Sequence, residues 1–213
     1  MYYLSRVPLD ACNRNTMKAL ANPGRFHGAV ESSFPGERKR RLWRIDRLNG
    51  KIYLLILSED QPRLTGMEQQ FSAAGEKGVT KSYDAFLSGI HAGEEFRFRL
   101  AANPSKAIAL EQERGKIVAN ITPTYQKQWL LNRSEAHGFS VKEKTFDITE
   151  SRWVQFHKTD PQAGKSRYVR FLMTVYEGLL QVTDEENFRK ILVEGLGREK
   201  AFGCGLLTVM RIG

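Results

Sequence analysis

The sequence predicts an α+β protein built from two tandem ferredoxin-like, RRM-related units. Three observations carry that expectation. The first half reads strand, helix, strand, strand, helix, strand, the order of a ferredoxin-like unit. Within it, Asn49-Gly50 separates two strand-like runs, as a two-residue hairpin turn requires. The second half repeats the order more loosely and closes on a capped helix, a glycine-rich loop and a last strand. The expected units are 1–102 and 116–213, joined by a connector at 103–115.

The elements follow in order. Tyr2 to Val7 reads as the opening strand, and Asn13 to Ala21 as a polar helix that Asn22-Pro23-Gly24 interrupts. Helical chain resumes from Arg25 toward Ser33. Arg41 to Leu48 and Lys51 to Ser58 flank the Asn-Gly turn, whose two residues need positive φ. A short helical piece surrounds Met67 to Phe71. Glu95 to Leu100 then alternates, with Phe96, Phe98 and Leu100 toward a core and Arg97 and Arg99 outward. Beyond the connector, Lys116 to Ile121 reads as a strand and Thr124 to His137 as a helix. Thr122 is its cap candidate, Pro123 lies in its first turn and Gly138 follows its end. Phe139 to Phe156 is extended chain and His157 to Ser166 a polar loop. Tyr168 to Val182 is a long strand, bulged near Gly178. Thr183-Asp184-Glu185-Glu186 forms a capping box for a helix that puts Phe188, Ile191 and Leu192 on one face and stops at Gly195. Leu206 to Ile212 is the last strand.

Composition narrows the function classes. With 213 residues and 41% hydrophobic content the chain can bury a core without staples. Lys and Arg number 33 against 24 Asp and Glu, a formal charge of +9 that favours a polyanionic partner. The longest apolar run, Ile52 to Leu57, is far short of a bilayer span, and the first residues lack a signal-peptide layout, so no membrane association is expected. Cys12 and Cys204 imply no disulfide framework, which fits a reducing, cytoplasmic setting.

Few constellations can carry chemistry. His27, His91, His137 and His157 have no partners at ligand spacing, and no zinc or calcium motif occurs, so neither metal nor other cofactor is expected. Gly164-Lys165-Ser166 ends like a phosphate-binding loop, but the upstream glycine is missing and a strand follows where a helix is needed. Gly195 to Gly205 runs from a helix end to a strand, the reverse of the order that aims a helix N-terminus at phosphate. That stretch reads either as a tight connection or as a loop that admits an RNA backbone, with Arg198 and Lys200 supplying charge. Arg38-Lys39-Arg40-Arg41 with Arg97 and Arg99 reads equally as an RNA-binding stripe or as a solvated face. Lys158, within the polar loop, and Arg167, just past it, join the same candidate set. His27, in Asn22-Pro23-Gly24-Arg25-Phe26-His27-Gly28, is either structural or a proton-transfer group beside Arg25.

Taken together these residues resemble the CasE family of CRISPR repeat endoribonucleases. The resemblance rests on Met1-Tyr2-Tyr3-Leu4-Ser5-Arg6-Val7, on Ala21-Asn22-Pro23 with His27, and on Phe96 to Pro104. Its most specific mark is Gly195-Leu196-Gly197-Arg198-Glu199-Lys200-Ala201-Phe202-Gly203-Cys204-Gly205-Leu206-Leu207. It implies tandem ferredoxin-like domains that bind a CRISPR repeat stem-loop and cut at the 3′ base of the stem. The ends implied are a 2′,3′-cyclic phosphate (or 3′-phosphate) and a 5′-hydroxyl. The resemblance also implies retention on the mature guide RNA beside other Cascade subunits, with DNA met only through that complex. It makes His27 catalytic and points to Lys165, in the loop before the long strand, as a second catalytic group. The tyrosine that some relatives carry shortly before the histidine is Gly24 here. The chemistry suits such a chain. The substrate's 2′-hydroxyl is the nucleophile, so the protein must position the strand, move protons through His27 and offset phosphorane charge with Lys165 or Arg25. A non-cleaving hairpin-binding subunit, or a basic component of another ribonucleoprotein, would share the same composition.

Overall fold

The computed structural model describes residues 1–37, 39–110, 113–159 and 166–212. In the first unit, β1 (Tyr3–Leu9) is followed by α1 (Arg14–Ala21), α2 (Gly24–Ser32), β2 (Leu42–Leu48), β3 (Lys51–Ser58), α3 (Thr65–Phe71) and β4 (Val79–Ser82). The antiparallel sheet has the order β2-β3-β1-β4, which is ferredoxin-like. The β2–β3 turn forms as expected, with Asn49 at φ 50° and Gly50 at φ 74°.

The near-continuous apolar run of β3 has a physical cause, since both faces of its sheet are covered. Ile52, Leu54 and Ile56 join Val7, Phe26, Val30, Trp43 and Phe71 beneath the helices. Leu42 and Leu57, with half-buried Leu4 and Leu55, enter the core of the second unit instead. Each buried aliphatic side chain on either face contributes about 1.5–3 kcal/mol relative to exposure.

After α4 (Asp84–Ser88) comes β5 (Glu95–Ala102), and here the structure corrects the sequence reading. The strand expected to close the first sheet lies in the second, between β11 (Leu207–Arg211) and β10 (Ser166–Val182). Its alternation proves that it is a strand but does not say which sheet takes it. The first sheet is closed by β4, whose mostly exposed side chains give no apolar pattern. The stretch 103–115 is no plain connector either. β6 (Ser105–Leu110) and β7 (Glu113–Ala119) pair as a two-stranded hairpin, and the strand expected from Lys116 is its return arm. The second unit therefore begins at β5, ahead of the expected boundary.

That unit continues with α5 (Pro123–Ser134), β8 (Phe139–Ser140), β9 (Phe146–Thr159), β10 and α6 (Glu185–Glu194) before β11. β5 then takes the place of first strand, and the order β11-β5-β10, with β8 and β9 both on the far edge of β10, is ferredoxin-like again. Thr122 caps α5 through Tyr125 N at 3.5 Å, and Gly138 at φ 77° ends the turn that follows. The α6 cap is Asp184, which accepts from Glu186 N and Asn187 N; the Thr183 box does not form. The expected irregularity of the long strand falls between Val175 and Tyr176, just before Gly178. Among the described residues no helix is long and apolar enough to cross a membrane.

The two units are joined through Arg44 of β2, a side chain 3% exposed. It makes five hydrogen bonds, two of them to the Asp46 carboxylate at 2.7 Å. The others reach into the second unit, to Arg99 O at 2.8 Å, Leu206 O at 2.7 Å and Thr208 Oγ1 at 2.8 Å. Arg99 in turn pairs with Asp46 at 3.1 Å and with Glu177. A buried guanidinium is tolerable only when its donors are met, as they are here.

Candidate cleavage site and nucleic-acid interface

Local sequence explains how His27 is presented. The Asn13 side chain caps α1, and α1 ends at Asn22, whose Oδ1 accepts from Gly24 N at 3.1 Å. Asn22 Nδ2 donates across the junction to His157 O on β9 at 3.2 Å, which ties the start of α2 to the second unit. Phe26 and Val30 then fix the buried face of α2. His27, one residue on, is turned by about 100° from Phe26, out of the core and toward the second unit.

It meets Phe202, in the short 3-10 turn Lys200–Phe202 of the glycine-rich loop. The imidazole lies edge-on to that ring, with centroids 6.5 Å apart and planes at 69°. Phe202 packs on Phe156 and Phe171, centroids 5.0 and 6.0 Å away, at the inner face of the β9–β10 ribbon. The same ring carries Lys158, whose Nζ is 5.8 Å from its centroid. Arg167 stands opposite Lys158 in the β9–β10 register, so both lie on one face of the ribbon. A histidine from the first unit and a lysine from the second thus border an aromatic floor that the second unit provides.

The glycine-rich loop has its own charge. Burial pushes the Glu199 carboxyl above its ordinary range, with Arg198 and Arg167 pulling the other way. Burial, and then Arg40, pull the Lys200 ammonium below its usual value, while Glu194 opposes them. Lys200 Nζ donates to Glu194 O at 2.8 Å and Arg40 to the same carbonyl at 3.4 Å, so two expected RNA-binding cations gather at the C-terminal end of α6. Gly203, at φ 87°, permits the turn, and a Cβ there would come 2.9 Å from the Trp43 ring.

The other expected residues separate into groups. Arg41 is corrected: its side chain is 3% exposed, 2.8 Å from Glu31 and stacked on Phe34, so it holds structure and cannot reach a phosphate. Arg99 belongs to the Arg44–Asp46 junction. Lys39 is exposed but paired with Glu59 and Asp60 at 3.4 and 3.1 Å, exposed contacts that a phosphate can displace. Arg97 is exposed on the face of the second sheet opposite Phe96. Arg25 is exposed but lies two residues before His27 on the helix, in a groove with Arg63 and Gln70, away from the Phe202 floor. Arg38 and Lys165 lie outside the described residues. Phe202 was missed in the sequence, where the loop reads as glycines plus charge. Its only signal is an aromatic between two glycines in a tight loop. Among the described residues no three of His, Cys, Asp or Glu are grouped as metal ligands.

Two ferredoxin-like units with a basic, histidine-bearing junction define an RNA-handling class of protein. Comparison is more specific. The chain belongs to the CRISPR associated protein family, whose model matches residues 2–211. It is 31% identical to the CRISPR-associated endoribonuclease Cse3 of Thermus thermophilus, over 97% of this chain and 99% of that protein. It is 32% identical to the CRISPR system Cascade subunit CasE of Escherichia coli over a shorter stretch, 56% of this chain and 60% of that one. The fold superposes on Thermus thermophilus Cse3 bound to an RNA representing a pre-cleavage complex, with a TM-score of 0.78, 26% identity and 98% of each chain covered.

Proposed function

We propose that this protein is a metal-independent endoribonuclease that cuts CRISPR repeat RNA at the 3′ base of its stem-loop. The substrate's 2′-hydroxyl attacks the adjacent phosphorus, the 5′-oxygen of the next nucleotide leaves, and the ends are a 2′,3′-cyclic phosphate (or 3′-phosphate) and a 5′-hydroxyl. The protein then stays on the guide RNA as a CasE-type subunit of Cascade, in the cytoplasm. The observation that carries this reading is that His27 and Lys158, from different units, both border the Phe202 ring. His27 transfers the proton to or from a reacting oxygen. Lys158, with Lys165 as the loop's further cation, offsets the charge that builds on the phosphorane. Arg167, Arg198, Arg40 and Lys200 hold the backbone of the RNA.

Incubating the protein with a labelled repeat hairpin in EDTA tests this. Cleavage of the all-ribose RNA is expected, and none when the ribose before the scissile phosphate is deoxyribose, because the attacking atom is gone. Binding should persist, since one lost hydroxyl costs about 1 kcal/mol. Cutting of the deoxy substrate, abolished by chelator, would overturn the mechanism; binding without any cutting would leave only a hairpin-binding subunit.

A further inference from the structure

The Ala102-Asn103-Pro104 segment, part of the family resemblance, has no place in the chemistry above, yet the structure gives it an unusual setting. Asn103 follows β5 and is 6% exposed, and its Oδ1 is buried without a hydrogen-bond partner. An orphaned buried amide oxygen is costly and rare. Asn103 is one of the residues lining a cavity of about 480 Å³ between the foot of the β6–β7 hairpin, α5 and the glycine-rich loop, with the unpartnered oxygen buried behind its wall. Asn120 shares the cavity's lining and is 9% exposed.

Two flat rings form part of the wall. Tyr125, in the first turn of α5, is 60% exposed and has Lys106 Nζ 5.5 Å from its ring centroid. Trp129, one turn further, lies against Gly197, where a Cβ would approach its indole to 3.1 Å. The cations Lys106, Arg133 and Arg198 line the cavity with no carboxylate among its described residues, and none of the three is in an ion pair with a described residue. A buried acceptor, planar surfaces and surplus positive charge together specify a ligand that is flat, anionic and able to donate a hydrogen bond. The volume lies in the range of small-molecule sites.

We propose that this cavity takes one unpaired nucleotide of the bound RNA. Its base edge donates to Asn103 Oδ1, its ring lies against Tyr125, and Arg198 and Arg133 hold its phosphate. Unstacked bases read on their edges and against aromatic rings are the usual currency of sequence-specific RNA recognition. The site rests on the RNA-processing reading and adds to it a base-recognition pocket separate from the cleavage residues. Arg198 lies in the same glycine-rich loop as Phe202, so an occupied pocket would also fix the loop that floors the cleavage site.

The test is a coupling experiment on the full chain with a repeat hairpin from the host's own CRISPR array. Each nucleotide outside the stem is made abasic in turn, and affinity is measured for the wild type, Asn103→Leu and Tyr125→Leu. At one position the abasic change should weaken wild-type binding about five- to tenfold, the worth of a net hydrogen bond with some stacking. In both variants the same change should have little further effect. Asn103→Leu removes an orphaned oxygen and should melt no lower than the wild type. Tyr125 is an exposed position whose replacement keeps the fold in any case. RNA that is bound and cut with no coupled position would remove the pocket alone. RNA neither bound nor cut would remove the processing reading, and the pocket with it.

Discussion

Replacing Phe202 with leucine separates the two duties of that ring. Leucine keeps most of the apolar volume against Phe156 and Phe171 but cannot offer a flat face to His27 and Lys158. The ring is in three aromatic pairs, each worth about 0.5–1.5 kcal/mol beyond burial, and repacking recovers part of that. A loss of about 1–3 kcal/mol in urea unfolding is therefore expected, small enough for the protein to remain folded. The catalytic effect should be larger in proportion. A displacement of about 1 Å at a catalytic group costs on the order of 100-fold in rate. Single-turnover cleavage by Phe202→Leu should therefore fall by about 10- to 100-fold, with hairpin affinity within a few-fold of wild type. The double variant with His27→Ala should be slower than His27→Ala alone by clearly less than the Phe202→Leu factor, because the ring acts largely through the histidine and only in part through Lys158. Wild-type cleavage by a folded Phe202→Leu protein would refute the shared floor and return Phe202 to ordinary core.

Other perturbations test the remaining parts. His27→Ala should lower single-turnover cleavage by about 100- to 10,000-fold and change affinity by less than about tenfold, since one imidazole supplies little of a charge-driven interface; an unchanged rate would make His27 structural. Lys158→Ala and Lys165→Ala should each slow the bound-state reaction more than they weaken binding, and a lysine whose loss changes affinity alone is a phosphate anchor. Arg44→Met strips donors from Asp46, Arg99 O and Leu206 O and should cost about 3–5 kcal/mol in denaturant unfolding; a loss under about 1 kcal/mol would show that the junction does not depend on it. Raising salt should weaken the RNA complex with a log–log slope of about −0.7 to −0.9 per phosphate neutralised, and a flat dependence would contradict a cationic interface.

Much of the fold is legible in the chain where local chemistry decides alone. The Asn49-Gly50 hairpin, the helix break at Asn22-Pro23 and the Gly138 and Gly195 stops each follow from a residue's own backbone preferences. Assigning strands to sheets is another matter. Phe96, Phe98 and Leu100 alternate identically in either sheet, and only pairing with Leu207 to Arg211 and Thr174 to Gln181 decides. β4 has neither alternation nor bulk and is held by β1. The site shows the same division. His27 and Lys158 can be named from the chain, but their common neighbour Phe202 lies 175 positions beyond the histidine and 44 beyond the lysine, and only folding brings the three together. Arg41 shows the opposite error, since a run of basic residues does not reveal which member has turned inward to Glu31.

The Asn22 bridge to His157 and the Arg44 network place the reacting groups on either side of a division between two folded bodies. An RNA lying across that division touches both bodies at once and resists their separation. Any ligand that binds only the joined state stabilises it by mass action, by about 2.7 kcal/mol at a hundred times its dissociation constant. Guide RNA kept after cutting then acts on the protein as a splint does on a joint, and the complex should outlast the free enzyme on heating.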